Sequence, residues 1–203
     1  MINTIIFDLG GVLIDWQPMN VYIKAFNGDE EKAKLFLENV CTMAWNVEQD
    51  AGRPISEAVR IKTAEFPQYE ELVKKYYDEW PDMLNGVMED TLAILEQLIK
   101  NEKYKVYALT NWSAETFPIA KARYDFLNWF DGIVVSGEVK MRKPFPEIYH
   151  HTLKTFNIKA EQTIFIDDNL DNINTANEIG ITAIHFKNAA QLNKDLMNLK
   201  IEI

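Results

Sequence analysis

The stretch Ile5-Ile6-Phe7-Asp8-Leu9-Gly10-Gly11-Val12-Leu13 decides the fold. An apolar run, residues 2–7 interrupted by Asn3 and Thr4, ends on a carboxylate that leads into paired glycines. The run is short and rich in large apolar residues, as a buried strand is. Asp8 therefore stands at a strand's carboxyl end. Gly10 and Gly11 let the backbone turn sharply and turn amide N–H groups toward an oxyanion.

Working outward, the same kind of run recurs at Val106-Tyr107-Ala108-Leu109, Ile133-Val134-Val135, Thr163-Ile164-Phe165-Ile166 and Ile181-Thr182-Ala183-Ile184. Between them lie stretches with apolar residues three and four apart, most clearly Met88-Leu92-Leu95-Leu98-Ile99. Strands alternating with helices predict right-handed βαβ units, hence an α/β fold of three layers around a parallel sheet. Residues 16–83 break the rule, since they hold no convincing strand. They predict helices over 19–27, 30–40, 55–65 and 69–80, with Asp29 and Ser56 as N-caps. Asn27-Gly28 and Gly52-Arg53-Pro54 punctuate them, and Pro81 with Asn85-Gly86 marks the return to the sheet. The expected division is a core of residues 1–15 and 84–203 and a small helical cap of residues 16–83, inserted after the first strand.

Bulk properties narrow the function. The 203 residues suffice for one domain with a small insertion. A formal net charge of -10 disfavours nucleic acid and anionic membranes, which carry the same sign. Any anionic substrate then needs a local cationic site. The single cysteine, Cys41, fits a reducing compartment. The opening apolar run is too short and too soon interrupted for a signal peptide, and no stretch has the length to span a bilayer. A cytoplasmic protein is expected; oligomeric state is left open.

Open parallel sheets bind ligands beyond the carboxyl ends of their strands. The polar residues expected there are Asp8, Thr110-Asn111, Ser136-Gly137 followed by Lys143-Pro144, and Asp167-Asp168-Asn169 with Asp171 beyond. Clustered carboxylates repel one another, and a hard divalent cation relieves the repulsion. An oxygen-only donor set suits magnesium. Lysine, threonine and asparagine among them suit a phosphate. A carboxylate positioned at phosphorus can form an aspartyl-phosphate and split one hard step into two.

These motifs, in this order, resemble the haloacid dehalogenase-like superfamily of hydrolases over residues 5–184. The motifs are the opening stretch, Leu109-Thr110-Asn111, Lys143-Pro144 with Ile148-Tyr149, and Phe165-Ile166-Asp167-Asp168. Within the superfamily the chain is similar to a branch that includes bacterial glucose-1-phosphate phosphatases. That likeness rests on Gly10, Met141-Arg142-Lys143-Pro144, and Asp167-Asp168-Asn169 with Asp171-Asn172-Ile173. The resemblance implies Asp8 as nucleophile and metal ligand, the Gly10 carbonyl and Asp168 as further ligands, and Asp167 beside them or bound through water. It assigns Thr110, Asn111 and Lys143 to the phosphoryl oxygens, and Asp171 with Asn172 to support of the acidic loop. It implies a magnesium-dependent phosphatase acting on a small phosphorylated metabolite. Three other readings are a haloacid dehalogenase, disfavoured by Asp167-Asp168; a phosphoglucomutase-like phosphotransferase; and a low-turnover phosphate-binding protein.

One departure stands out. Most phosphatases of the family place an acid two residues after the nucleophile, to protonate the leaving group. Here that residue is Gly10. Without such an acid, departure depends on how well the ester oxygen bears charge, which favours anomeric sugar phosphates such as a hexose 1-phosphate. In the insert, Trp45, Glu48 and Arg53 flank a loop expected to reach the core as a lid, with Trp45 and Arg53 as substrate contacts.

Overall fold

The computed structural model describes residues 1–202. In chain order, β1 (Thr4–Phe7) and β2 (Ile14–Trp16) precede five helices, α1 (Met19–Ala25), α2 (Glu30–Asn39), α3 (Met43–Asp50), α4 (Ile55–Glu65) and α5 (Glu70–Asp78). Then follow β3 (Leu84–Val87), α6 (Glu89–Lys100), β4 (Lys105–Thr110), α7 (Phe117–Arg123), β5 (Gly132–Val135) and α8 (Ser136–Val139). The chain continues through α9 (Pro146–Phe156), β6 (Thr163–Asp167), α10 (Leu170–Glu178), β7 (Thr182–His185) and α11 (Ala189–Asn198).

Five strands form one parallel sheet in the order β5-β4-β1-β6-β7. The register sets Ile6 between Tyr107 and Phe165, and Phe7 between Ala108 and Ile166. Because successive side chains of a strand point to opposite faces, these strands feed two separate apolar layers. Ile5, Phe7, Val106, Ala108, Ile164 and Ile166 pack with α6 and α11 through Leu95, Leu98, Leu192 and Leu196. Ile6, Tyr107, Leu109 and Phe165 pack with α9 and α10 through Ile148, Tyr149, Ile173 and Ala176. The predicted three-layer α/β architecture is the one found. No helix among the described residues is long and apolar enough to cross a membrane.

The segment between β2 and β3 holds α1–α5, with differences from the sequence expectation. The predicted loop around Trp45 and Glu48 is the helix α3, started by Thr42, whose side chain accepts from the Trp45 N–H. At eight residues it is too short to show a clear apolar period between Thr42 and the break at Gly52-Arg53-Pro54. Asp29 caps α2 as expected, accepting from the Lys32 N–H at 3.0 Å. Ser56 does not cap α4, which begins at Ile55 after Pro54. A short antiparallel pair, β2 with β3, was not expected. It carries Asn85-Gly86 inside a strand rather than in a turn, with a register shift between Asp15 and Trp16.

The α6 stripe tests this packing. Leu98 is fully buried against the sheet. Leu98→Ala is expected to cost about 3 kcal/mol, as truncations of buried leucine do. The check is a lowered urea midpoint with unchanged m-value. A midpoint shift worth under about 1 kcal/mol would remove Leu98 from the core.

Candidate active site

The site grows from the ammonium of Lys143. Lys143 is 1% exposed and belongs to the loop after α8. An ammonium carries three donors, and all are spent within the fold: Leu109 O at 3.0 Å, Asp167 Oδ2 at 2.7 Å and Asp8 Oδ1 at 2.9 Å. Burial alone would depress this ammonium, but the charges of Asp167 and Asp8 outweigh it and hold it above the usual lysine range. Its peptide is fixed as tightly. Asn111 Oδ1 accepts from the Lys143 N–H at 2.8 Å, and Asn111 Nδ2 donates to the Lys143 carbonyl at 2.9 Å.

Asp8 follows β1, whose continuation is marked by the Asp8 N–H donating to Ile166 O. Its Oδ1 takes the Leu9 N–H at 2.7 Å as well as Lys143. Among the described residues Oδ2 accepts no hydrogen bond. The turn beyond is closed by the N–H groups of Val12, Leu13 and Ile14, all donating to Leu9 O. Gly11 sits at φ +74°, where a side chain is strained, and a Cβ there would stand 2.4 Å from Asp168 Oδ2 and displace that carboxylate.

Asp167 ends β6 fully buried. Besides Lys143, it accepts from Asn172 Nδ2 at 2.9 and 3.0 Å and from the Asn169 N–H at 2.8 Å. Asp168 is exposed, and its carbonyl accepts from His185 Nε2 at 2.9 Å. The N-cap of α10 is Asn169, which accepts from the N–H groups of Asp171 and Asn172. Neither aspartate is therefore consumed as a cap. Carboxylate oxygens of Asp8, Asp167 and Asp168 lie within 4.8 Å of one another.

One ammonium among three carboxylates leaves uncompensated negative charge. Burial, with Asp167 close by, pushes the Asp8 carboxyl up to about 8 despite Lys143. A hard divalent cation fits this donor set, being all oxygen and overcharged.

A cleft of about 550 Å³ opens over these groups. Asp8, Gly10, Asn111, Lys143 and Asp168 line its floor, and Asn172 reaches it as well. Its other wall is built by Trp16 of β2 and by Met43, Asn46, Val47 and Asp50 of α3. Not every expected residue arrives. Thr110 is 1% exposed at the end of β4 and does not line the cleft; Trp112 and Ser113 do. Asn111 reaches it, but both ends of its amide are committed to Lys143. Trp45 is buried against Tyr76 and Tyr77 on the insert's interior, and Glu48 is exposed. Arg53 folds back onto α3, donating to Gln49 Oε1 at 2.8 Å and to Trp45 O at 3.0 Å. Its guanidinium holds the helix end rather than a ligand.

Asp50, Asn46, Ser113, Trp16 and Trp112 were missed by sequence reasoning. A signal existed for the α3 residues. Positions 43, 46, 47 and 50 share one helical face, and that face carries Asn and Asp where a core face is apolar.

The model of the haloacid dehalogenase-like hydrolases matches residues 5–186. The chain belongs to that family, and is a hydrolase of it. It is 27% identical over 98% of its length to drimenol cyclase drtB of Aspergillus calidoustus, but spans only 37% of that protein. It is 27% identical to a phosphorylated carbohydrates phosphatase of Thermotoga maritima, covering 90% of this chain and 84% of the other. A solved HAD-family enzyme of Bacteroides thetaiotaomicron, in complex with magnesium and inorganic phosphate, is 27% identical with a TM-score of 0.70. That match covers 93% of this chain and 96% of the other.

The buried charge makes a pH prediction. A carboxyl raised in the native state binds a proton that the unfolded chain releases near 4. The metal-free protein is then expected to lose stability as pH rises from about 5 to 8, where Asp8 must ionise. A divalent cation should flatten that slope. Urea midpoints across the range, with and without cation, are the measurement. A metal-free midpoint that rises with pH would contradict the charge assignment.

Proposed function

We propose that this chain is a magnesium-dependent phosphatase of small phosphorylated metabolites, working through an aspartyl-phosphate on Asp8. The observation that carries the reading is the placement of Asp8, with Oδ2 unbonded, on the floor of a cleft whose only buried cation is held against it. In the first half-reaction an Asp8 carboxylate oxygen bonds to phosphorus as the ester P–O bond breaks. In the second, water takes the phosphoryl group and frees the carboxylate. Lys143 steadies the nucleophile and the charge gathering on the phosphoryl oxygens. Asp8 and Asp168 with the Gly10 carbonyl would hold the magnesium, and Asp167, whose oxygens are already bonded, would orient Lys143 and the acidic loop. Bound there, magnesium supplies charge neutralisation at the transferring group.

The substrate class follows from the cleft. Trp16, Trp80 and Trp112 bring aromatic rings to the cleft lining, and Gln17 and Ser113 bring polar side chains. That mixture suits a sugar, whose rings present C–H faces and a rim of hydroxyls. We infer a sugar phosphate, with a sugar 1-phosphate among the substrates. The relative that acts on phosphorylated carbohydrates supports the same class.

The test is direct. Turnover of sugar phosphates is expected to require magnesium and to stop in excess chelator. Asp8→Asn is nearly isosteric and should stay folded while losing at least about a thousandfold in kcat, since an amide does not attack phosphorus. Wild-type rates in that variant would demote Asp8 to a binding role.

A further inference from the structure

The reaction needs a proton for the departing ester oxygen, and the floor of the cleft has no group free to give one. Asp8 and Asp168 belong to the charged cluster. Asp15 is tied by Gln17 Nε2 at 2.9 Å and Asn85 Nδ2 at 2.6 Å. Gly10 has no side chain, and nothing lies within 4 Å of where its Cβ would be. That space is open to whatever faces it from the other wall.

We propose that Asp50, on α3 of the helical insert, is the general acid–base of the reaction. It hands its proton to the ester oxygen and later takes one from the attacking water. The proposal rests on the phosphatase reading and extends it. When phosphorus is transferred, the Asp8–phosphorus bond forms, the ester P–O bond breaks, and the proton moves from Asp50 to the alcohol. When water attacks the aspartyl-phosphate, its proton returns to Asp50 as the Asp8–phosphorus bond breaks. The cycle consumes one water and leaves both aspartates as they began.

Placement supports this. Asp50 lines the cleft yet is only 8% exposed. Asn46 Nδ2 donates to its Oδ2 at 3.3 Å, and Ser113, in the loop that also carries Asn111, lines the same cleft. Asn46 in turn accepts from the Tyr77 hydroxyl at 3.3 Å, and Gln49 donates to that hydroxyl at 2.7 Å. This chain of hydrogen bonds fixes the carboxyl's orientation. The turn after α3 is seated as firmly. Gly52, at φ +97°, lies so close to α8 that a Cβ would stand 2.8 Å from Lys140 Cγ and 3.2 Å from Gly137 O. The wall that carries Asp50 is thus pinned to the wall that carries Lys143.

Protonation is also suitable. Burial pushes the Asp50 carboxyl up to about 7, against the Ser113 N–H and the charges of Arg142 and Lys143, which favour the anion. Tyr76 and Tyr77 of α5 are the other titratable groups facing it, and both stay neutral at working pH. An acid near the operating pH gives up and regains a proton most effectively. A proton donor at this place removes the restriction to anomeric leaving groups implied by Gly10, so ordinary sugar alcohols can depart as well.

The experiment compares wild type and Asp50→Asn, with magnesium, on a hexose 6-phosphate and on p-nitrophenyl phosphate, whose leaving group needs no proton. Asn keeps the size of the side chain but has no acidic proton to give. On the hexose phosphate the variant is expected to lose about a hundredfold or more in kcat with little change in KM, the usual scale for a general acid. On p-nitrophenyl phosphate it should release one nitrophenolate per enzyme rapidly and then turn over slowly, because only the water step still needs Asp50. Phosphoryl transfer from the hexose phosphate should fall in wild type as pH rises past about 7, where Asp50 ionises, and the variant should lack that limb. Wild-type hexose phosphate turnover in Asp50→Asn overturns the proposal, as does loss of the nitrophenolate burst, which would mark a structural role. A wild-type enzyme inactive on both substrates sinks the phosphatase reading first and this proposal with it.

Discussion

A lysine ammonium at 1% exposure is tolerable only if its charge is met on site, and here Asp8 and Asp167 meet it. The dependence runs both ways, since burial already holds the Asp8 carboxyl up and Lys143 is what favours its anion. This mutual requirement welds distant parts of the chain. The carboxylates close β1 and β6, the third acceptor is the Leu109 carbonyl of β4, and the lysine arrives from the loop after α8. The strand order places β4, β1 and β6 side by side. Because they are parallel, their carboxyl ends share one edge, and three acceptors converge on one ammonium. Loss of the lysine would leave buried charge without a partner, a cost of about 3–5 kcal/mol in comparable cases. Stability and chemistry are therefore invested in the same contact.

How much of this the sequence discloses depends on how local the cause is. The five strands of the sheet are legible because each is a short apolar run whose fate is set by its own residues. Asp8, Asp167 and Asp168 are legible because each sits at or just past the end of a strand, and the sheet's geometry brings strand ends together; Lys143, beyond α8, is legible through the Lys143-Pro144 pair. The insert obeys no such rule. Trp45 and Arg53 look like lid residues in one dimension, yet one fills the insert's core and the other clasps its own helix. Their roles hang on which face of α3 meets the cleft, and that is a tertiary fact. Asn111 shows a subtler limit: its position at the strand end was apparent, but its amide serves the lysine backbone. Thr110 lies one residue further back, inside a strand that is covered on both faces, and is buried with it.

The two walls of the cleft divide the chemistry by polarity. The floor concentrates charge, so a carboxyl placed there competes for the cation and for Lys143. A proton donor must stay neutral until it is needed, and desolvation away from the charged cluster keeps it so. Asp50 meets both conditions on the insert, while the floor position facing the leaving group is a glycine with empty space around it. Moving the acid from floor to wall has a structural consequence. The nucleophile and the acid then belong to separate packed layers, and their alignment depends on the seating of α3 against α8. The close approach at Gly52, which excludes any larger residue without displacing Lys140 or the Gly137 carbonyl, holds that alignment. On the proposed assignment, the glycine two residues after Asp8 would leave room for the leaving group, and the glycine two residues after Asp50 would seat the acid's helix against α8.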